Sequence, residues 1–159
     1  MKLYTSCYSM MNKIPTDFLM VGISRFIPKE LQTTSISNFL YTPNNILAPS
    51  VDLLNDIKGE RITNDEYAKR YYKEIQDRMK SLGYSSANEY FAKMVSALDQ
   101  TNSDGFRATV FLCYEKPDEF CHRHLLSALM RKLGFDITEW RPSSKTIQSK
   151  EELSSSALF

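Results

Sequence analysis

Two nearly continuous apolar runs constrain the fold of this chain more than any other feature. They are Phe18 to Ser24 (FLMVGIS) and Arg107 to Tyr114 (RATVFLCY). A run of this kind is typical of a strand that is buried on both faces, as strands are in parallel sheets. Lys2 to Tyr8 (KLYTSCY) is rich in β-branched and aromatic residues and predicts another strand, and Ile137 to Trp140 predicts a short last one.

Amphipathic helices are predicted between these strands, each with a start signal in the sequence. Ser50 precedes the first, Thr63 with Glu66 and Ser86 with Glu89 form capping-box pairs, and Asp118 is a candidate cap for the last. The predicted ranges are Val51 to Lys58, Thr63 to about Leu82, Ser86 to about Gln100, and Glu119 to Leu133. Strands alternating with helices predict a three-layer Rossmann-like α/β fold with a mainly parallel sheet.

Two stretches lack these patterns. Residues 25–49 carry three prolines among many Ser, Thr and Asn, and predict a long irregular loop with room for a short helix near Lys29. Asn102 to Gly105 predicts a turn, and Pro142 to Phe159, with six serines, predicts a C-terminal tail. We therefore expect one domain over residues 1–141 followed by that tail.

Composition excludes several classes of protein. The 159 residues are 42% hydrophobic and 25% charged, with a formal net charge of +1, which does not fit a disordered chain. A polyanion-coating protein needs a clustered excess of Lys and Arg, so nucleic acid is an unlikely partner. Three cysteines, no signal-peptide pattern at residues 1–9 and no long apolar run predict a cytoplasmic protein without a membrane span. Oligomeric state and cofactors are not predicted.

Reactive residues are densest between Cys113 and His124, which spans a strand end and the next helix start. Ligands bind beyond the carboxyl ends of strands in parallel α/β sheets. With Asp118 as the cap, Cys121 falls at the third helical position, where the helix dipole and Arg123 favour a thiolate. Arg123 and the helix-start amides are also candidates to hold a small anion such as a phosphate.

Structural roles compete with these functional ones. His122 is in line with Leu126, Leu129 and Leu133 on a helix, which is equally typical of a core histidine. Cys113 at the end of a buried strand is typical of a small hydrophobic residue. Tyr67 and Tyr71 share the apolar face of their helix, so core packing competes with stacking on a nucleobase.

The same segment carries a resemblance to a known family. Thr109 to Glu115 (TVFLCYE), followed by Cys121-His122-Arg123, resembles the signature of the family called domain of unknown function 488, in which Leu-Cys-x-Glu ends a strand and Cys-His-Arg follows. Residues 1–9, 47–49, 53–54 and 66–71 resemble its other segments. The resemblance implies a Rossmann-like domain of bacteria and their phages, with a site made by the signature residues. Many members have Asp-Arg after the second strand, where this chain has Ser24-Arg25.

Three hypotheses for function follow from these residues. The first is an enzyme, a hydrolase or transferase, acting on a nucleotide-like or other phosphate-bearing molecule. Its predicted catalytic residues are Cys121, His122 and Glu115, and its predicted ligand-binding residues are Arg123, Cys113, Arg25, Ser24 and Tyr67. The second is a protein that binds or sequesters such a small anionic ligand without turnover, as a phage protein acting against host defence would do.

The third hypothesis is a zinc site using Cys113, Cys121, His122 and Cys7. The spacing Cys-x7-Cys-His is not that of a standard zinc finger, so no metal is included in the predicted site. Isolated glycines at positions 22, 59, 83, 105 and 134 form neither a dinucleotide-binding fingerprint nor a P-loop. An enzyme of this kind would have to bind its substrate by side chains and helix-start amides.

Overall fold

A computed structural model describes residues 1–43, 45–100 and 105–143. All of the predicted tail except Pro142 and Ser143, and all of the predicted turn except Gly105, lie outside the described residues. No helix in the described part of the chain is long and apolar enough to cross a membrane.

Five parallel strands form one sheet in the order β3-β2-β4-β1-β5. Every residue of β4 is buried, which confirms the prediction of a strand buried on both faces. The strands are β1 (Lys2–Cys7), β2 (Phe18–Gly22), β3 (Phe39–Tyr41), β4 (Ala108–Cys113) and β5 (Ile137–Glu139). The structure has the three-layer Rossmann-like α/β architecture predicted from the sequence.

The helices follow the predicted start signals in three of four cases. Their ranges are α1 (Lys29–Gln32), α2 (Val51–Lys58), α3 (Asn64–Ser81), α4 (Ala87–Gln100) and α5 (His122–Lys132), with a 3-10 helix at Tyr8–Lys13. The Ser50 hydroxyl accepts a hydrogen bond from the Leu53 amide, and Thr63 with Glu66 completes a capping box. Before α4, the Ser86 hydroxyl accepts from the Glu89 amide while the Glu89 carboxylate accepts from Ser85 instead.

Two expectations about secondary structure are wrong. The predicted loop over residues 25–49 contains an additional edge strand, β3, paired with β2. The last helix begins at His122 rather than Glu119, so Cys121 is its N-cap residue and not its third residue. The physical reason is that residues 116–119 form a separate turn, in which Glu119 donates its amide to the Lys116 carbonyl. The carboxylate of Glu119 also accepts from the Lys116 amide.

The strand period places two cores on the two faces of the sheet. Along β4, Phe111 and Cys113 face the larger core with helices α2 to α5, while Val110 and Leu112 face the smaller one. The smaller core is covered by the 3-10 helix and by side chains such as Ile36 and Trp140. Cys113 therefore ends β4 on the face where α5 begins.

Candidate active site

A cavity of about 480 Å³ opens beyond the carboxyl ends of β2 and β4. These two strands are neighbours, with Gly22 in register with Leu112. The cavity is lined by residues that follow the two strands, by one face of α2, by Tyr67 of α3 and by the start of α5. The lining residues are Ser24, Arg25, Phe26, Pro49, Leu54, Ile57, Lys58, Tyr67, Cys113, Tyr114, Glu115, Phe120, Cys121 and His122.

Two thiols and an imidazole meet at this cavity. Nδ1 of His122 lies 3.5 Å from Sγ of Cys113 and 3.9 Å from Sγ of Cys121. All three side chains are at least 96% buried from bulk water. Cys113 is eight positions before Cys121 and nine before His122. The three side chains meet because the chain leaves β4, turns through residues 114–120 and starts α5 beside the end of the strand.

The backbone fixes the orientation of the His122 ring. Nε2 of His122 lies 3.0 Å from the carbonyl oxygen of Ile23, just after β2. A carbonyl oxygen can only accept a hydrogen bond, so Nε2 carries a proton and Nδ1 is the nitrogen left to accept one from a thiol. Sγ of Cys113 also lies 3.7 Å from Nε2. This arrangement lets Nδ1 take a proton from a thiol while the Ile23 carbonyl stabilises the resulting imidazolium.

The two cysteines differ in their electrostatic surroundings. Burial raises the pKa of Cys113 well above its ordinary value, and the adjacent charges of Cys121 and Glu115 raise it further. Burial also opposes ionisation of Cys121, but hydrogen bonds from Cys113 and His122 and the charge of His122 outweigh it and lower the Cys121 pKa. These opposite shifts favour the thiolate form at Cys121 and the neutral thiol at Cys113.

Glu115 lies beside this pair. Its Oε2 is 3.4 Å from Sγ of Cys113, which donates to it. Burial raises the pKa of Glu115, and the negative charge of Cys121 adds to that shift. A raised pKa favours the protonated carboxyl, which is the form that can pass a proton to a reacting group.

Arg123 is placed behind the cavity wall. Its side chain is fully buried and is not among the residues that line the cavity. The guanidinium donates to both carboxylate oxygens of Glu139, at 3.0 and 3.3 Å, and to the backbone carbonyl of Glu115. Burial disfavours its charge, but the Glu139 carboxylate outweighs burial and raises the pKa of Arg123. The geometry gives Arg123 the task of holding Glu115 and β5 in place.

The remaining predicted ligand-binding residues do line the cavity. Arg25 extends along the wall and donates to the backbone carbonyls of Pro49 and Ala48, at 2.9 and 3.2 Å. The Ser24 hydroxyl pairs with the hydroxyl of Tyr8 at 2.7 Å. Tyr67 presents its ring to the cavity, whereas Tyr71 is fully buried in the core with its hydroxyl donating to Leu47.

An aromatic rim was not predicted from the sequence. Phe26, Tyr114 and Phe120 line the cavity and are nevertheless 59%, 46% and 38% exposed. The ring of Phe120 packs edge-on against Tyr67 at 5.3 Å. Lys58, at the end of α2, adds a cation to the lining. Only the positions of Tyr114 and Phe120 within the reactive segment hinted at this role.

Metal binding is the other use that this geometry allows. The candidate ligand atoms of Cys113, Cys121 and His122 all lie within 4.8 Å of one another. Metal-bound histidines commonly donate their second ring nitrogen to a backbone carbonyl, as His122 does to Ile23. Cys7 is buried at the end of β1, where its thiol contacts the Ser9 hydroxyl at 3.1 Å.

A comparison with protein-family models decides the family. Residues 3–134, most of the chain, match the model DUF488-N3a, described as the active DUF488-N3 subclade. The chain belongs to the DUF488 family. No curated protein and no solved structure matches it. The matched residues include every residue that lines the cavity, and with them the thiol cluster.

Proposed function

We propose that this DUF488 member is an enzyme that uses the Cys121 thiolate as a nucleophile on a small nucleotide-like or other phosphate-bearing molecule. The observation that carries the proposal is the position of His122, whose Nδ1 faces both thiols while Nε2 is held by the Ile23 carbonyl. A thiolate beside an oriented imidazole is the usual arrangement of an activated cysteine nucleophile. The description of the matched subclade as active is in keeping with a catalytic role.

The proposed reaction has two steps. His122 takes the proton of Cys121, and the sulfur forms a bond to the electrophilic centre of the substrate as the leaving group departs with a proton from His122 or Glu115. In the second step, water or an acceptor hydroxyl attacks the same centre, gives its proton to the site and releases the Cys121 thiolate. Water as the attacking group makes the enzyme a hydrolase, and another acceptor makes it a transferase.

The lining of the cavity supports a substrate with a planar ring and a negative charge. A volume of about 480 Å³ is in the range of small-molecule sites. Phe26, Tyr114 and Phe120 offer ring faces and edges to a base. In this proposal Lys58 contacts the phosphate and Arg25 contributes only its charge. The side-chain nitrogens of Arg25 donate to backbone carbonyls, and those of Arg123 are directed to Glu139 and Glu115.

Replacement of the nucleophile tests the proposal. The protein is incubated with a panel of nucleotides, nucleosides and sugar phosphates, and the products are separated by chromatography. Cys121→Ser is expected to reduce conversion of the active panel member by about 10²-fold or more. Cys7→Ser is the matched control, since Cys7 does not line the cavity and its thiol contacts Ser9, and it should keep conversion near the wild-type rate. Full conversion by Cys121→Ser contradicts the proposed nucleophile.

Two alternative functions would use the same cavity. If a panel member is retained by the protein and recovered unchanged, the protein is a binding or sequestering module without turnover. The proximity of the three metal-ligand atoms favours zinc as a further candidate. Stoichiometric zinc in elemental analysis of the purified protein would commit both thiols to the metal and would replace the nucleophile proposal.

A further inference from the structure

We propose that Cys113 and Cys121 form a reversible disulfide when a peroxide oxidises the protein. This bond removes the Cys121 thiolate from the active site. The proposal rests on the proposed function in one respect, since Cys121 is the thiol that reacts first. It adds a role for Cys113, the resolving thiol, that the catalytic scheme does not use. It also makes the activity of the enzyme dependent on the redox state of its surroundings.

The placement of the two sulfur atoms carries the inference. Both lie within the group of ligand atoms that are no more than 4.8 Å apart, and both residues line the cavity. A peroxide that enters the cavity therefore reaches Cys121 with Cys113 beside it. A disulfide requires the sulfur atoms to approach to about 2.05 Å, and the segment that joins the two residues consists of turns and bends rather than helix or strand.

The backbone around Cys121 is suited to that movement. Cys121 is the N-cap of α5, in extended conformation, and its side chain makes no capping hydrogen bond to the helix. Rotation of its side chain thus removes no cap from α5. Cys113 is at the last position of β4, so its side chain can turn without breaking the strand pairing of residues 108–112.

The chemistry balances with hydrogen peroxide as the named oxidant. The Cys121 thiolate attacks one oxygen of the peroxide, the O–O bond breaks, and sulfenic acid and hydroxide form. The Cys113 thiol then attacks the sulfenic sulfur, the S–S bond forms, and the oxygen leaves as water with the thiol proton. Two thiols lose two electrons, and the peroxide is reduced to two water molecules. A dithiol reductant reverses the change and becomes a disulfide itself.

Cys7 is the competing partner. It is in register with Cys113 on the neighbouring strand β1, and it is buried. The two lie on the same face of the sheet by strand alternation, so a Cys7–Cys113 bond is the alternative that the experiment must separate. Cys7 does not line the cavity, however, and its thiol contacts Ser9 rather than the imidazole. We therefore expect Cys121 to be the cysteine that peroxide oxidises.

Peptide mapping under non-reducing conditions tests the inference on the intact protein. After hydrogen peroxide and alkylation of remaining thiols, tryptic cleavage leaves both cysteines in one peptide, residues 108–123, because Lys116 precedes Pro117. A Cys113–Cys121 bond appears there as the loss of two hydrogens, and further cleavage after Glu115 and Glu119 leaves two fragments joined by the bond. Dithiothreitol should restore both thiols. Cys7→Ser, the matched control, should give the same map.

A variant of Cys113 and the wild-type peptide map together distinguish the proposed disulfide from other oxidation products. In Cys113→Ser, Cys121 should instead accumulate as sulfenic acid that dimedone traps. A wild-type map that shows Cys121 oxidised to sulfinic acid with Cys113 free, or a bond from Cys7, overturns the inference whether or not the variant folds. These readouts are masses and do not depend on turnover. Failure of the disulfide leaves the nucleophile proposal intact, and full activity of Cys121→Ser leaves the disulfide result intact.

Discussion

Arg123 carries a full positive charge at a position with no exposed side-chain surface. Taking a charge out of water costs several kcal/mol, and only a paired and hydrogen-bonded partner offsets that cost. Glu139 supplies two oxygens to the guanidinium, and the Thr5 hydroxyl donates to the same carboxylate. The pair joins the start of α5 to the edge of the sheet next to the thiol cluster.

Removal of this charge tests its structural role. Arg123→Met should lower the free energy of unfolding by about 3 kcal/mol or more, because the Glu139 carboxylate loses its cationic partner and keeps only the hydrogen bond from Thr5. Urea denaturation measures the change. Lys132→Met on the same helix is the control, since Lys132 is exposed, and it should stay within about 0.5 kcal/mol of wild type. An Arg123→Met protein of unchanged stability would contradict the role given to the pair.

The sequence predicted which residues lie at the site better than it predicted what each of them contacts. Cys113, Glu115, Cys121 and His122 were predicted together and the structure brings them together. The partner of Arg123 was not predictable from local pattern, because Arg123 is on α5 and Glu139 lies 16 positions away on β5. His122 is buried, as a core histidine is, and its ring also contacts the thiols of Cys113 and Cys121.

At the scale of elements, capping residues in the sequence predicted the start of a helix correctly where the same residues did not form another turn. The signals at Ser50 and Thr63 were predicted correctly, while the Asp118 signal was wrong because residues 116–119 form their own turn. The edge strand β3 was also missed. It has three residues and an exposed centre, so it lacks the apolar run that marks β2 and β4.

The capping box of α3 gives a prediction at this scale. Thr63→Ala removes the oxygen that accepts the Glu66 amide and should lower the free energy of unfolding by about 1 kcal/mol. Thr34→Ala, at another exposed threonine, should change it by less than about 0.5 kcal/mol. Equal effects of the two substitutions in urea denaturation would argue against a capping contribution.

At the scale of the whole molecule, the cavity depends on a strand order that local pattern does not encode. Parallel strands were predictable from apolar runs, but the insertion of β4 between β1 and β2 rests on pairing between residues about 100 positions apart, such as Lys2 with Ala108. The cavity is lined by residues from four separate segments of the chain. For this reason the sequence did not predict that Phe26 and Lys58 line the same cavity as Cys121.

Blocking the cavity tests whether it is the route to the thiol. Ile57, on α2, lines the cavity, and Ile57→Trp should slow alkylation of Cys121 by N-ethylmaleimide by about tenfold, equal to roughly 1.4 kcal/mol of barrier. Leu82→Trp places the same ring at a 64% exposed position outside the cavity and should leave the rate unchanged. Mass spectrometry of the Cys121 peptide gives both rates, and equal rates would show that the reagent enters elsewhere.

The pH dependence of Cys121 alkylation tests the central claim most directly. Iodoacetamide reacts with the thiolate, so a lowered pKa keeps the reactive form populated as pH falls. We predict that the rate at Cys121 stays within about twofold between roughly pH 8 and 5, while free glutathione in the same tube slows by about tenfold per unit. A Cys121 rate that falls in parallel with glutathione would contradict an activated thiolate at this site.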